Sequence, residues 1–302
     1  MPASPEGQRA LPLARNLEAL GGRLARVRVP HAPGAGRRRR QALAAAAVLA
    51  GALILLFLLT IDGHAPAWQR GMPDVVGRGF EAVTDLARSH WLLVPSGVAC
   101  LALLLADWDR TSRRIAAAWT ELGDLLAFVF VAVAAAGMTT NVVKWSLGRS
   151  RPILFDGDGP FALTPISFDH AHVSFPSGHA TTAAAVATAL VLIFPGRASL
   201  RVAAVLFAVV IALSRVMVGA HYPSDVVAGL FIGAVVTFAV AHAFGRRGIA
   251  FQGQADGSLR PKTVALRRFV PAPGGAIRGL GAAWAGAFRP RRRPAVDKPR
   301  RG

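Results

Sequence analysis

The sequence has little acid and almost no cysteine. Sixteen Asp and Glu stand against 35 Lys and Arg in 302 residues, a formal charge of +19. Cys100 is the single cysteine, so no disulfide can form within the chain and a disulfide-stapled secreted module is excluded. Charged residues make up 17%, where soluble domains carry about 25%. Disorder throughout is excluded too, because 53% of the residues are hydrophobic and the mean hydropathy is +0.42. This balance points to a membrane protein. The basic excess requires an acidic partner: nucleic acid, an anionic membrane surface or phosphorylated substrates.

The basic residues gather at the two ends. Residues 1–40 hold nine Arg and finish in Arg37-Arg38-Arg39-Arg40. Residues 245–302 hold fourteen Lys and Arg against only Asp256 and Asp297. Both ends are rich in Pro and Gly, and they read as flexible, solvated cytoplasmic arms flanking a core over 41–244.

That core is a series of apolar runs. They are Ala42–Ile61, Trp91–Ala106, a third from near Ile115 that is wholly apolar over Leu125–Met138, Ala180–Phe194, Val202–Leu213 and Val226–Ala241. Twenty helical residues match a hydrocarbon layer of about 30 Å, so the expected fold is an all-α bundle of six transmembrane helices. The first run is too long, and its leader too long, for a cleaved signal peptide, so it reads as an uncleaved anchor. Lys/Arg asymmetry places both termini in the cytoplasm of a multi-pass inner-membrane protein, together with Arg110, Arg113, Arg114, Arg197 and Arg201. Lys144, Arg149, Arg151 and Arg215 then fall on the outer face, against the rule, and need a reason to be there.

Three segments on that face supply one. In Lys144-Trp-Ser-Leu-Gly-Arg-Ser-Arg151-Pro152 the two outer cations are seven residues apart, two helical turns, and would share a face. Pro152 stops the helix. Phe175-Pro176-Ser177-Gly178-His179 precedes the fourth run as a turn into a helix start. Unpaired backbone N–H groups there make an anion site, with Ser177 and Gly178 beside it and His179 at its rim. In Ser214-Arg215-x5-His221-x3-Asp225, Pro223 suits the first turn of a helix, so Asp225 falls near its third position and can reach back to accept from His221. A His held by a carboxylate has a fixed tautomer and a free basic nitrogen. Three cations, a helix N-terminus, two histidines and a carboxylate suit phosphoryl transfer. Asp156, Asp158, Asp169, His170 and His172 crowd the 153–175 loop without a firm ligand spacing, so no metal is expected and the loop reads as solvated and lid-like.

In these segments the sequence resembles the type 2 phosphatidic acid phosphatase (PAP2) superfamily, integral-membrane lipid phosphatases with the pattern K-x6-R-P, P-S-G-H and S-R-x5-H-x3-D. All eleven defined positions occur in order between Lys144 and Asp225. The resemblance implies that His221 is a nucleophile forming a phosphohistidine, Asp225 orients it, and His179 is the acid for the leaving group and then the base for water. It implies that Lys144, Arg151 and Arg215 clamp the phosphate with Ser177 and Gly178, that no metal or other cofactor takes part, and that the site faces away from the cytoplasm. The expected substrate is a lipid phosphate or diphosphate: phosphatidic acid, phosphatidylglycerol phosphate, an isoprenyl diphosphate or a lipid-anchored sugar phosphate. Arg149 stands outside the pattern and receives no catalytic role.

Three other readings compete. Vanadium haloperoxidases share the pocket with vanadate in place of phosphate, but they are soluble, and the apolar runs argue against one. A non-catalytic lipid-binding or transport protein would have no use for a complete set of nucleophile, acid and clamp. Nucleic-acid binding by the arms is disfavoured, because anionic lipid headgroups are the nearer partner for cytoplasmic arms. Aromatic and aliphatic residues among the basic ones over Thr263–Phe288 suit a membrane surface.

Overall fold

A computed structural model describes residues 11–26, 35–254 and 256–268. In chain order its helices are α1 (Pro12–Ala25), α2 (Ala35–Thr60), α3 (Ala65–Arg70), α4 (Asp74–Asp85), α5 (His90–Leu105), α6 (Arg113–Leu147), α7 (Phe155–Asp158), α8 (Gly178–Ile193), α9 (Ala198–Met217) and α10 (Pro223–Arg247). One antiparallel hairpin follows, β1 (Phe251–Gly253) with β2 (Leu259–Pro261). Among the described residues the protein is all-α apart from that hairpin.

Each of the six apolar runs becomes a helix. Five stretches are long and apolar enough to cross a membrane: Gly36–Thr60, Asp74–Leu105, Arg113–Leu147, Ala198–Met217 and Pro223–Arg247. These are the helices of a multi-pass membrane protein. α8 has 16 residues, shorter than a full crossing, and it is the innermost. Its Ala180, Ala183, Ala185, Ala187 and Ala189 are all buried. α2 is the opposite case, with Val48, Leu49, Leu56 and Leu59 all exposed, an apolar surface suited to lipid rather than water.

Small residues set the closest helix contact. A Cβ at Gly229 of α10 would stand 2.4 Å from the Ser177 carbonyl oxygen, and one at Gly233 would stand 2.2 Å from that of Thr181. Backbone meets backbone here, as small residues allow between membrane helices. Beside this seam Thr140 of α6 and Thr181 of α8 share a hydroxyl hydrogen bond of 2.9 Å. Gly233→Ala should therefore push α8 off α10 and cost about 1–3 kcal/mol, read as a lowered melting temperature in detergent.

The two ends of the bundle differ in kind. At one end lie the C-termini of α2, α6 and α9 and the N-termini of α8 and α10, which carry every candidate site segment. At the other lie Arg38 and Arg39 of α2, Arg113 and Arg114 of α6, Arg201 of α9 and Arg246 and Arg247 of α10.

Parts of both arms pack on this second end, where composition predicts solvated chain. Asn16 of α1 donates to the Leu104 and Ala106 carbonyls at 2.8 and 2.9 Å, and Arg23 pairs with Asp124 of α6. Past α10, Phe251 is fully buried and stands edge-on to Phe128, with ring centroids 4.8 Å apart. Glu121 accepts from the Leu266 N–H at 2.9 Å. The two acids of the third run thus tie down the arms. Phe269, Ile277, Leu280, Trp284 and Phe288, expected at a membrane surface, lie outside the described residues.

Candidate active site

The segment from Lys144 to Pro152 is not one helix. α6 ends at Leu147 and is capped by Gly148 at φ 61°, where an added Cβ would overlap the Thr164 carbonyl. Lys144 therefore sits in the last helical turn, while Arg149 and Arg151 follow on extended chain. Arg149 bridges to Leu163 in a β-type pairing. This corrects the expected shared helical face of Lys144 and Arg151, although both cations still reach one place: Lys144, Arg151 and Arg215 are close enough to repel one another.

Each of these three cations has a different anchor. Lys144 Nζ donates to the carbonyls of Val173 (2.7 Å) and Ser174 (3.2 Å), so two of its three protons hold the loop that leads into α8. Arg151 Nη1 donates to the Ala220 carbonyl at 3.3 Å. Arg215, in the last turn of α9, donates to Thr84 of α4 at 3.0 Å. Arg151 Nε, Arg215 Nε and Ser177 Oγ are buried without a hydrogen-bond partner.

Ser177 is the N-cap of α8, and Gly178 and His179 open that helix. The Ser177 N–H donates to the Asp225 carbonyl at 2.9 Å, which locks the start of α8 to the start of α10. The peptide before Pro176 is cis. His179 lies within electrostatic reach of Arg215, and of Arg88 and Asp85 at the end of α4. Asp85 and Arg88 pair with each other at 2.8 Å.

His221 is buried between α9 and α10. Its Nδ1 stands 3.5 Å from Asp225 Oδ2 and 3.5 Å from Ser174 Oγ, at the long limit of hydrogen bonding. Nδ1 therefore faces the carboxylate, and Nε2 is the ring nitrogen turned away from it. Burial, opposed by Asp225 and assisted by Lys144 and Arg151, pushes the His221 imidazole down to about 3, so it is neutral and keeps a lone pair at ordinary pH. Asp225 is the third residue of α10, as its spacing from Pro223 predicts. Its Oδ2 accepts from the Tyr222 N–H at 3.0 Å and from Ser174 Oγ at 2.5 Å.

The other oxygen of Asp225 belongs to a residue the pattern leaves out. Arg149 is 4% exposed and donates Nη1 to Asp225 Oδ1 and Nη2 to Asp62 Oδ2, the latter at 2.8 Å. Asp62, fully buried just past α2, also accepts from the Ser224 N–H (3.0 Å) and hydroxyl. The Arg149 guanidinium lies 4.3 Å over the Tyr222 ring. Asp62, Arg149, Ser174 and Ser224 thus form a buried polar support behind His221. Sequence reading singles out Arg149 as an outer-face cation without assigning it a role and misses the other three, although Asp62 has a signal: a lone carboxylate ending an apolar run needs a partner.

The 153–175 loop is strapped down rather than loose. Ser150 N–H donates to Ala162, Thr164 N–H to Gly148, and Ser167 N–H to Trp145 (3.1, 2.8 and 3.1 Å). Ser150 Oγ donates to Asp158 at 2.6 Å, and His172 pairs with Asp169 at 2.8 Å. Arg151, then partial burial, holds His170 below the usual histidine range, which places it beside the clamp. Among the described residues no group of three His, Cys, Asp or Glu is placed to hold a metal ion.

Comparison with known proteins places the chain in a family. The PAP2 superfamily profile matches residues 125–249. A lipid A 1-phosphatase of Rhizobium etli is 34% identical over 210 residues, 68% of this chain and 86% of that protein. One from Rhizobium johnstonii is 37% identical over 210 residues, 68% of this chain and 82% of that protein. A decaprenylphosphoryl-5-phosphoribose phosphatase of Mycobacterium tuberculosis is 36% identical over 162 residues, 54% of this chain and 80% of that protein. The crystal structure of a transmembrane PAP2-type phosphatidylglycerolphosphate phosphatase from Bacillus subtilis covers 64% of this chain and 92% of its own, at 20% identity and a TM-score of 0.44. The chain belongs to the PAP2 superfamily.

Proposed function

We propose that this protein is an integral-membrane phosphohydrolase that removes phosphate from a lipid phosphate or diphosphate through a phosphohistidine at His221. One observation carries the reading. Two cations with unpaired buried donors, Arg151 Nε and Arg215 Nε, together with the unpaired Ser177 Oγ and the nearby Lys144, gather by a neutral histidine whose far nitrogen faces a carboxylate. A tetrahedral oxyanion is the ligand that satisfies them.

In the proposed reaction His221 Nε2 attacks phosphorus and the P–O bond to the lipid breaks. His179 gives its proton to the departing oxygen. Lys144, Arg151 and Arg215 take the charge on the non-bridging oxygens, with Ser177 and the Gly178 backbone beside them. Asp225 stabilises the cationic ring that forms on His221. A water then attacks the phosphohistidine, losing its proton to His179, and phosphate leaves. No metal or other cofactor enters these steps.

The relatives that span most of this chain act, by name, on lipid A, so a lipid A 1-phosphate heads the substrates we infer. Phosphate release by the purified protein tests the reading, with EDTA present and lipid A, phosphatidic acid, phosphatidylglycerol phosphate and isoprenyl diphosphate offered in parallel. Release from none of them would overturn it.

We also infer that both termini are cytoplasmic, that the site opens on the outer face of the inner membrane, and that anionic lipid headgroups attend the basic arms. The Arg-rich end of the bundle supports this orientation. Cys100 is the only cysteine, so a Cys100→Ala background reports on sidedness cleanly. In it Gly157→Cys should react with an impermeant maleimide from the outer side, and Ser258→Cys only after permeabilisation. The reverse pattern would invert the topology.

A further inference from the structure

A second built cavity lies at the Arg-rich end. It has a volume of about 600 Å³ and is bounded by the start of α2, Thr188 of α8, the stretch of α10 from Ala234 to His242, and the β1–β2 turn. A neighbouring cavity of about 270 Å³ shares Phe238, His242, Gly257 and Ser258 with it, so the two form one crevice. His242 lies seventeen residues along α10 from Asp225, so at 1.5 Å per residue it stands about 26 Å from the His221 site. That is close to the thickness of a hydrocarbon layer.

The lining is divided by chemistry. Arg38 and Arg39 come from α2 and Arg201 from the first turn of α9. The interior is apolar, with Leu43, Ala234, Val235 and Phe238. Among the described residues none of the three arginines has an ion-pair partner. The carboxylate at the rim is Asp256, which accepts from the Ser258 N–H at 2.9 Å. The mouth therefore keeps a cationic excess over an apolar interior, which fits a phosphate group joined to an acyl chain. The chain's own arms are poor occupants, because residues 269–302 are themselves strongly basic.

We propose that this crevice is a binding site for an anionic phospholipid of the leaflet opposite the His221 site, with its phosphate between Arg38, Arg39 and Arg201 and an acyl chain along Phe238. The bound lipid staples α2 and the hairpin to α10. The proposal rests on membrane placement and not on the hydrolytic reading.

The test is native mass spectrometry of the delipidated full-length His221→Ala protein, titrated with phosphatidylglycerol, phosphatidylcholine or inorganic phosphate. The His221→Ala background keeps the readout independent of turnover. One phosphatidylglycerol should bind in preference to phosphatidylcholine, and millimolar inorganic phosphate should not displace it. Arg38→Ala/Arg39→Ala/Arg201→Ala should weaken that binding by about a hundredfold. Ala234→Trp, which fills the apolar part and keeps every charge, should weaken it as well. Unchanged binding in both variants would overturn the proposal. Retained binding in Ala234→Trp alone would reduce the site to surface electrostatics and overturn it too. Displacement by inorganic phosphate would make it a free-anion site instead. If binding behaves as expected while the wild type releases no phosphate from any lipid, the hydrolytic reading fails and this one stands.

Discussion

His221→Ala is expected to abolish phosphate release, by about a thousandfold or more, while the protein stays folded and membrane-inserted. The reasoning is local. His221 is buried and neutral, with Nδ1 turned to Asp225 and Ser174. Its side chain makes no short hydrogen bond that holds two elements together. Asp225 keeps its bonds to Tyr222 N–H, Ser174 and Arg149 without it. Removing the imidazole therefore takes away the attacking nitrogen and leaves the frame. Phosphate release and the melting temperature in detergent, measured side by side, check both halves. Activity retained in the variant would remove His221 from the reaction.

Arg149→Met should produce the second large effect, this time on frame and activity together. Arg149 bridges two buried carboxylates, Asp62 and Asp225. Without it Asp62 loses its ion-pair partner and Asp225 keeps only the more distant charges of Lys144 and Arg151. Breaking a buried pair in this way costs about 3–5 kcal/mol. The loss should appear as a large drop in melting temperature and a fall in kcat, because Asp225 then shifts behind His221. Arg149→Lys should recover only part of it, since an ammonium cannot span both carboxylates as a guanidinium fork does. Asp62→Asn should be milder alone. Combined with Arg149→Met it should cost less than the sum of the two, by about 0.5–3 kcal/mol of coupling. Strict additivity would show that the two residues do not act as a pair.

The difference between these two predictions marks what the sequence makes legible. Pattern residues carry their chemistry in type and spacing. Pro223 predicts the start of α10, and from it the place of Asp225 follows. The six helices are legible from run length and apolarity, but the depth of each is not. α8 is largely buried, and Gly229 and Gly233, the residues that let its backbone come so close, lie on α10. Arg149 and Asp62 each stand out locally as a charge without a role, but their pairing is invisible to local reading because it runs across 87 residues. The helix stop at Gly148 also turns the chain so that Arg149 and Arg151 serve different partners, which helical spacing could not show. The hairpin after α10 had a readable sign: Asp256-Gly257 between short apolar-containing segments is a turn pair, and Gly257 sits at φ 86°. The high basic charge of that arm obscured it.

The most direct test of the central claim is to trap the covalent intermediate. The protein would be mixed with a lipid phosphate in EDTA, quenched in alkali during turnover, and its peptides mapped for phosphate. The account predicts phosphate on the His221 peptide of the wild type, more of it in His179→Asn, where water lacks its base, and none in His221→Ala. Continued phosphate release with no label on His221, or label on another residue, would contradict it.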